Sequence, residues 1–470
     1  MRGWWAACLA GFLSGLGIRW GWGLEPVWWL TWFAPLPLLL IALRGPIGRT
    51  LFSVLVAGVT GYSGLSSYYH ELLPPPVVPA VIAGQVMLLL AAILFVHWQS
   101  RTLPRAWHPW LLPLAMTSIE LLLRVLSRNG DASSIAFSQG DRPMVLQIAA
   151  MTGAGGITFL LTLLPGWLAA LASGGARKPT ALLVPPIVIA LALLAGQWRL
   201  AHAPIRETVP VSLVAIDETT PRARDGQGSA RTLRAYSAAV AALPVGTLVV
   251  LPEKMLNIRP EDLPSLDRQL GEIAALHDGP VLAGVAVWAA DGASNQARLY
   301  RPLQAPLVYE KEHLVPGFES AFRPGTEIVT ASIHGSTVGL AICRDLFFDT
   351  PASRYGRLGV QILAVPAWDF PPDGWFRSRT ALVRGVENGM AVARSARQGK
   401  LTLSDCYGRI IGERPSDGHG GAATLTGLLP VAPVKRTPYL REGWLFPWIC
   451  LALSLALIVR GIFRHAKRNP

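Results

Sequence analysis

Apolar residues run along the first 200 positions in long stretches, each close to the length of about 20 residues that a helix needs to cross a bilayer. Seven stretches precede residue 200 and one lies near the carboxyl end, with approximate limits 3–18, 26–43, 50–68, 77–97, 109–127, 144–172, 180–198 and 443–461. The pattern predicts a membrane domain over 1–204 with about seven transmembrane helices. It also predicts a carboxyl-terminal transmembrane helix with a basic tail over 441–470.

The segment 205–440 has a different pattern, in which short β-branched runs alternate with polar or helical stretches. The strand-like runs are VPVSLVAI, TLVVLPE, PVLAGVAVW, ARLYRP, TVGLAIC and VQILAVPA. Helices are predicted over 229–243, 260–277 and 379–396, and a mobile loop over 219–230. Strands separated by helices are typical of an α/β domain with a largely buried sheet.

Charge is scarce and unevenly distributed. Charged residues make up 15% of the chain, against about 25% in an ordinary soluble protein. From Val209 to Leu440 there are 24 Lys and Arg against 22 Asp and Glu, whereas the remainder holds 18 basic and 7 acidic residues. The basic excess lies in short segments between apolar runs, which is a membrane-topology pattern rather than a nucleic-acid-binding surface.

The distribution of basic residues also predicts the orientation of the chain. With the amino terminus in the cytoplasm, eleven basic residues lie in cytoplasmic segments and five in the opposite short loops. The eleven are Arg2, Arg44, Arg49, Arg101, Arg105, Arg177, Lys178, Arg460, Arg464, Lys467 and Arg468. Both termini are therefore predicted inside, and the segment 205–440 outside, on the periplasmic side in a bacterium.

The four cysteines are Cys8, Cys343, Cys406 and Cys450. Their scattered positions do not suggest a disulfide framework, and the chain has no CxxC or His/Cys spacing of a structural zinc site. The amino-terminal apolar stretch lacks a clean small-residue cleavage site, so it is interpreted as a retained span rather than a signal peptide.

Three predicted strands end near groups that can carry chemistry. TLVVLPE ends in Glu253, PLVYEKEHLVPGFE contains Lys311, and TVGLAIC ends in Cys343. Taken singly, each has an ordinary explanation: a glutamate at a helix start, a solvated surface lysine, and a core cysteine. Together they supply a base, a cation and a nucleophile, which acyl transfer requires.

The order of these three residues resembles that of the nitrilase (carbon–nitrogen hydrolase) superfamily. KEHLVPGFE is similar to the lysine motif of its membrane branch, and RGVENGMAVARSARQG to the arginine-rich helix of that branch. IELLLR and SIAFSQGDRPMVLQIAAMTGAGGITFL resemble the membrane part. Over nearly all of its length, the chain resembles this branch, the apolipoprotein N-acyltransferases. The resemblance implies a multi-pass α-helical membrane domain plus an α/β nitrilase-like domain, an αββα sandwich.

The resemblance also implies an activity. An acyl chain would pass from a phospholipid to Cys343 as a thioester, and then to the α-amine of a diacylglyceryl-cysteine lipoprotein. Glu253 would be the general base and Lys311 the oxyanion stabiliser. It implies no metal, organic cofactor or nucleic acid, a monomeric state, and a place in the bacterial inner membrane.

Two further acids match positions that the resemblance marks as functional, and Arg344 is a third supporting candidate beside the nucleophile. Glu319, eight residues after Lys311, would orient that lysine or order the site loop. Asp345 would act beside the nucleophile. For both acids the alternative is loop solvation. Arg344 would contact the phosphate of an anionic lipid or form a salt bridge with Asp345.

The chain departs from the branch at several positions. After its cysteine the branch usually has an aromatic residue and then Glu, where this chain has Arg344 and Asp345. Because Asp is one methylene shorter than Glu, a role that depends on reach is open. Lys254 and Met255 follow Glu253, where small residues are common. These departures leave the acceptor specificity open.

Two other features have alternative interpretations. Glu120 and Arg124, spaced four apart, predict an ion pair on one helix face, and the alternative is a polar site facing headgroups. The segment 367–376, AWDFPPDGWF, is either a lid over an acyl-chain cleft or a packed surface loop.

Two rival functions remain at the level of sequence. In a membrane-tethered amidase or nitrilase-like hydrolase, water would resolve the thioester and release a free fatty acid. In a divergent non-catalytic paralogue, the chain would bind lipids or lipoproteins without turnover. An acyl adduct on Cys343 would separate this second rival from both enzymes.

Overall fold

The computed structural model describes residues 2–174, 179–204, 207–217, 226–416, 421–434 and 436–466. The chain divides into a helical unit from residues 1–198 and 442–470, and an α/β unit from residues 199–441. Some sequence predictions lie outside the described residues. They are the orientation residues Arg177, Lys178, Lys467 and Arg468, and positions 219–225 of the predicted mobile loop.

The helices are numbered here in chain order. They are α1 (Arg2–Gly21), α2 (Trp28–Thr31), α3 (Leu36–Arg44), α4 (Ile47–Tyr62), α5 (Ser66–Leu72), α6 (Val78–Thr102), α7 (His108–Leu126), α8 (Pro143–Leu146), α9 (Ala149–Thr152), α10 (Ala154–Ala172), α11 (Pro179–Ala201), α12 (Gly226–Ala241), α13 (Leu263–Leu276), α14 (Ala352–Arg357), α15 (Gly374–Asn388) and α16 (Leu445–Ala466).

The chain is a membrane protein with several long apolar helices. In the part of the chain that the structure describes, five helical segments are long and apolar enough to cross a membrane. They are Pro75–Thr102, Arg105–Leu126, Ala154–Ala172, Leu183–Ala201 and Tyr439–Arg464. The full number of crossings and the domain limits 1–204, 205–440 and 441–470 stay predictions.

The apolar run 144–172 is not one continuous helix. It forms α8 and α9, and then α10 begins after Gly153, whose φ is +72°. A positive φ is accessible to glycine without a steric penalty, so this residue can end one helix and start the next. Hydropathy alone cannot detect such a break because glycine does not interrupt an apolar average.

The α/β unit contains two sheets. Its strands are β1 (Glu207–Ile216), β2 (Leu248–Val250), β3 (Leu256–Ile258), β4 (Val281–Ala289), β5 (Gly292–Tyr300), β6 (Leu307–Glu310), β7 (Thr330–Ile333), β8 (Ser336–Leu340), β9 (Ile362–Trp368), β10 (Ala391–Arg397), β11 (Lys400–Ser404), β12 (Ile410–Pro415) and β13 (Ala422–Val431).

The two sheets face each other across a shared core. The first sheet has the order β13-β1-β2-β4-β5-β6 with β3 beside β4, and the second has the order β12-β11-β10-β9-β8-β7. Buried residues of both sheets form one cluster, including Val211, Leu282, Leu340 and Ala393. Helices α12 and α13 cover the outer face of the first sheet, and α14 and α15 that of the second. The four layers confirm the predicted αββα sandwich.

The predicted helix 379–396 is wrong in its second half. Helix α15 ends at Asn388, and Gly389 follows with a left-handed φ of +73°. Residues Ala391–Arg397 then form β10, parallel to β9. Gly after the last helical residue is a common helix stop. The pair Asn388 and Gly389 is therefore the sequence signal for the end of the helix, although the apolar pattern around it is helical.

Candidate active site

The structure brings two of the three predicted chemical residues into direct contact and holds the third at the same edge of the sandwich. Glu253 follows β2 and Lys311 follows β6 in the first sheet, and the Lys311 Nζ lies 2.8 Å from the Glu253 Oε1. Cys343 follows β8 in the second sheet, with its Sγ 3.6 Å from the Trp368 carbonyl oxygen. The backbone N–H of Glu253 donates to the Ala367 carbonyl at 3.2 Å. This bond joins the strand ends of the two sheets.

The backbone at Cys343 is strained. Its φ is +43°, and the residue begins a short 3₁₀ turn, Cys343–Phe347. A left-handed conformation in a residue with a Cβ costs about 1–3 kcal/mol and persists where the surroundings enforce it, often at functional sites.

Asp345 is the residue that holds this turn. Its buried carboxylate accepts hydrogen bonds from the Tyr309 hydroxyl at 2.7 Å, the His313 N–H at 2.8 Å and the Ile342 N–H at 2.9 Å. It therefore ties the cysteine turn to the loop that follows Lys311. It is not solvated, and the shorter aspartate side chain reaches all three partners.

Glu319 is fully buried and holds the other side of the site. Its Oε2 lies 2.9 Å from the Lys311 Nζ and accepts from the Val315 N–H at 2.7 Å. Its Oε1 lies 2.8 Å from both the Lys254 Nζ and the Asn295 Nδ2. The two contacts fit both roles suggested for Glu319, since one holds the Lys311 ammonium and the other holds the loop that follows Lys311.

The sequence did not indicate that Asn295 and Lys254 belong to the site. The Asn295 Nδ2 donates to the Glu253 Oε1 at 2.6 Å, and its backbone oxygen accepts from the Lys311 N–H at 2.9 Å. The amide therefore bridges Glu253 and Glu319 and fixes the start of the lysine loop. Asn is depleted in strands, so Asn295 inside a strand was an available signal.

Burial and neighbouring charges shift the pKa values of the site. Burial disfavours the Lys311 ammonium, but Glu253 and Glu319 outweigh it and raise the pKa of Lys311. Burial also disfavours the Glu319 carboxylate, but Lys311 and Lys254 outweigh it and lower the pKa of Glu319. For Cys343, burial and then Glu253 raise the pKa to about 12 against the opposing effect of Lys311. The resting sulfur is therefore a thiol.

Arg344 is mostly buried beside the nucleophile. Its Cζ lies 5.7 Å from the centre of the Phe348 ring, and burial followed by the nearby Arg377 lowers its pKa. The Asp345 carboxylate accepts hydrogen bonds from other residues, as described above. A phosphate contact for Arg344 stays a prediction.

The segment 367–376 is packed rather than open. The Asp369 carboxylate is buried and forms a two-pronged ion pair with Arg394, one arm of which is 3.0 Å long. Asp373 is also buried, caps the Phe370 N–H at 3.1 Å and pairs with Arg377 at 2.7 Å. In the described residues, no cluster of three or more His, Cys, Asp or Glu could hold a metal ion.

Glu120, in the helical unit, has partners other than the predicted one. Its Oε2 accepts from the Ser134 hydroxyl at 2.9 Å and the Thr158 hydroxyl at 2.6 Å, and its Oε1 accepts from the Ile135 N–H at 2.9 Å. Arg124 lies 3.9 Å from Asp131. Glu120 therefore ties α7 to the segment after it and to α10.

Fold and site together define a membrane protein that carries an αββα unit with a Glu-Lys pair and a cysteine at one edge. Residues 10–167 match the family described as the apolipoprotein N-acyltransferase N-terminal domain. An apolipoprotein N-acyltransferase of Geobacter metallireducens is 24% identical over 94% of this chain and 92% of its own length. One of Haemophilus ducreyi is 22% identical over 83% of each chain. Over nearly all of its length, the chain is therefore similar to apolipoprotein N-acyltransferases.

Solved structures similar to the α/β unit include two nitrilase-type proteins. Saccharomyces cerevisiae Nit3, a member of branch 10 of the nitrilase superfamily, is 19% identical with a TM-score of 0.41, over 48% of this chain and 91% of its own. An amidase from Nesterenkonia sp. is 19% identical with a TM-score of 0.41, over 52% and 96%.

Proposed function

We propose that the chain is an N-acyltransferase that uses Glu253, Lys311 and Cys343 to move an acyl chain from a phospholipid to the α-amine of the N-terminal diacylglyceryl-cysteine of lipoproteins. The observation that carries the proposal is the buried cluster at one edge of the sandwich. There the Lys311 ammonium lies 2.8 Å from Glu253, and Cys343 begins a strained turn. The relatives bear the name of this activity, and a membrane protein suits two lipid-anchored substrates.

The first half-reaction transfers the acyl group to sulfur. Because burial keeps Cys343 a thiol, Glu253 must accept its proton as the sulfur attacks the ester carbonyl carbon. The Lys311 ammonium donates two of its N–H groups to Glu253 and Glu319. Its third N–H donates to the oxyanion that forms. Collapse breaks the ester C–O bond. Glu253 then returns the proton to the departing lysophospholipid oxygen.

The second half-reaction transfers the acyl group to nitrogen. The neutral α-amine of the lipoprotein attacks the thioester carbonyl, and Glu253 accepts the proton that the nitrogen loses. The C–S bond breaks, the proton returns to the sulfur of Cys343, and the amide product leaves. Glu319 and Asp345 act as positioning residues, since one holds Lys311 and the other holds the cysteine turn. The scheme predicts ping-pong kinetics.

The cellular setting is part of the proposal. The basic residues of the short loops favour both termini in the cytoplasm, which supports a bacterial inner-membrane protein with its catalytic domain, residues 205–440, on the periplasmic side. The partners are then a phospholipid donor, a diacylglyceryl lipoprotein acceptor and the bilayer, with the enzyme acting as a monomer.

The deciding experiment is complementation of a strain depleted of its own apolipoprotein N-acyltransferase. The wild-type chain should restore growth, and the purified protein incubated with phospholipid alone should carry one acyl group on Cys343 by mass spectrometry. Cys343→Ala should do neither. Cys406→Ala is the matched control, because Cys406 is a buried cysteine of the same unit. Growth restored by Cys343→Ala would refute the thioester mechanism.

A further inference from the structure

Lys254 is a second ammonium at the site, and its backbone adopts a conformation that lysine rarely takes. Its φ is +48°, and strained backbone of this kind tends to persist at functional sites. Gly284 of β4 lies directly against this turn. A Cβ on that glycine would lie 2.6 Å from the Glu253 Cα and 2.9 Å from the Lys254 N. The tight turn thus depends on a glycine in the neighbouring strand.

The Lys254 side chain reaches the carboxylates and lies close to two aromatic rings. Its Nζ lies 2.8 Å from the Glu319 Oε1 and 3.9 Å from the Glu253 Oε1. The same Nζ lies 5.4 Å from the centre of the Phe322 ring and 5.5 Å from that of the Trp368 ring. An ammonium has three N–H donors, so one bond to Glu319 leaves donors for another acceptor.

Exposure separates the two ammonium groups of the cluster. The Lys254 side chain is 16% exposed, whereas that of Lys311 is 1% exposed. A molecule at the surface can therefore touch Lys254 while Lys311 stays enclosed by Glu253 and Glu319.

Lys254 also changes the charge of the cluster. Glu253 and Glu319 supply two negative charges, and Lys311 and Lys254 supply two positive charges. A small neutral residue at position 254 would leave one negative charge in excess, which would repel an approaching anion. With Lys254 the cluster is balanced, and its outermost group is a cation.

We propose that Lys254 is a specificity-determining residue that contacts the phosphate of the acyl donor. The inference rests on the proposed function for the identity of the donor, a phospholipid. In such a donor the phosphodiester is attached to the same glycerol as the reacting ester. When the ester carbonyl lies at Cys343, the phosphate is therefore close by. A lysine binds phosphate as a point charge without a fixed fork geometry.

The test compares two acyl donors on the full-length protein in detergent micelles without acceptor. The rate of acyl-Cys343 formation is measured with phosphatidylglycerol and with a diacylglycerol of the same chains, which lacks the phosphate. We expect Lys254→Met to raise the KM for phosphatidylglycerol about tenfold, the worth of one charge-assisted hydrogen bond. The same variant should impair the reaction with diacylglycerol several-fold less than the reaction with phosphatidylglycerol, and Lys254→Arg should retain the preference for phosphatidylglycerol.

Three outcomes would overturn the inference. Equal loss with both donors would mean that Lys254 only positions Glu319. No change with either donor would remove any role for it. Loss of phosphate preference in Arg344→Met but not in Lys254→Met would assign the phosphate to Arg344. Arg323→Met is the matched control for general attraction of anionic lipids, since Arg323 is an exposed cation paired with Asp291 in the same unit.

A second measurement does not depend on acyl transfer. sn-Glycerol 3-phosphate should slow alkylation of Cys343 by iodoacetamide in the wild-type protein, and about tenfold more should be needed in Lys254→Met. Equal protection in both proteins would overturn the phosphate contact even if acyl transfer proceeds. Transfer by Cys343→Ala would instead refute the proposed function, so the two failures are distinguishable.

Discussion

Each of the two units holds a carboxylate away from bulk solvent, buried at Glu319 and half-buried at Glu120, but the partners of the two carboxylates differ in kind. Glu319 in the α/β unit is surrounded by groups that can only donate, namely two ammonium groups, an amide NH₂ and a backbone N–H. Glu120 in the helical unit accepts from the hydroxyls of Ser134 and Thr158 and from the Ile135 N–H. A hydroxyl can donate or accept, whereas an ammonium can only donate.

This difference indicates that Glu319 needs its negative charge and that Glu120 does not. The site of Glu319 is built from opposite charges in a dry environment, where each charge strongly affects the others. The hydrogen-bond partners of Glu120 are neutral groups that could rearrange around a neutral side chain. Burial alone therefore does not identify a functional acid, whereas the chemistry of its partners does.

The largest expected effect comes from removing the charge that faces the thiol. Glu253→Gln should lower acyl transfer by about 10³-fold, since a general base contributes on the order of 10²–10⁴. The same change should speed alkylation of Cys343 at fixed pH, because the charge of Glu253 is one cause of its raised pKa. Acyl-enzyme formation and iodoacetamide alkylation measure the two effects.

The two expected changes, slower acyl transfer and faster alkylation of Cys343, have opposite directions, which distinguishes loss of the base from loss of the fold. A variant that merely unfolds would lose transfer without the specific rise in alkylation of Cys343 relative to Cys406. Glu310→Gln is the matched control, because Glu310 precedes Lys311 but bonds to Gln296. Transfer by Glu253→Gln at the control rate would contradict the base assignment.

The next largest effect is expected at Glu319. An amide in either orientation would point its NH₂ at groups that can only donate. Glu319→Gln should therefore lower acyl transfer about 10²-fold and the free energy of unfolding by about 3 kcal/mol, as for a broken buried ion pair. Steady-state kinetics and denaturant unfolding measure these changes. A stability close to wild type would show that the buried charges are not coupled as the distances indicate.

The pH dependence of stability follows from the same residue. The pKa of Glu319 is lowered in the folded state, since Lys311 and Lys254 outweigh the effect of burial. Its contribution is therefore present above the unfolded value of about 4.3 and is lost as the pH falls through the folded value. Glu319→Gln should remove this part of the acid destabilisation. If the melting temperature falls equally at acid pH in the wild type and in Glu319→Gln, the prediction is contradicted.

A smaller effect is expected at the cysteine turn. Asp345→Asn should leave at least one of the N–H groups of His313 and Ile342 facing an NH₂, which costs about 1–3 kcal/mol. The looser turn should lower acyl transfer about tenfold without changing the thiol chemistry itself. A kcat change with an unaltered pH profile would agree with a positioning role. A shifted profile would instead make Asp345 a proton carrier.

The smallest effect is expected in the helical unit. In Glu120→Gln, the NH₂ can face the Ser134 and Thr158 hydroxyls while the oxygen still accepts from the Ile135 N–H. Stability should therefore change by about 1 kcal/mol or less, and acyl transfer should stay within about twofold. Measured beside Glu319→Gln, this matched pair tests the comparison directly. Equal losses in the two variants would mean that Glu120 also needs its charge.

The strand-like runs predicted an α/β domain, and the resemblance carried by the motifs implied its αββα layers. Reactive residues at the ends of those runs predicted that Glu253 and Lys311 lie close together. Where strand ends meet at one edge of a sandwich, such residues converge. The sequence did not reveal Asn295, which lies inside β5 and acts across strands. It also assigned Glu120 the local partner Arg124, whereas hydrogen-bond partners of Glu120 lie 14, 15 and 38 residues away.

The order of apolar and β-branched runs by itself determined that this is a membrane protein with an α/β domain, because burial and element type depend on local composition and period. The sequence also supplied a thiol, a carboxylate and an ammonium at strand ends. Only the tertiary structure decided that Glu319 and Asn295 complete their surroundings and that Lys254 joins them. Hydrogen bonds between distant strands depend on the exact distance between side chains, and that distance is not encoded in any local pattern.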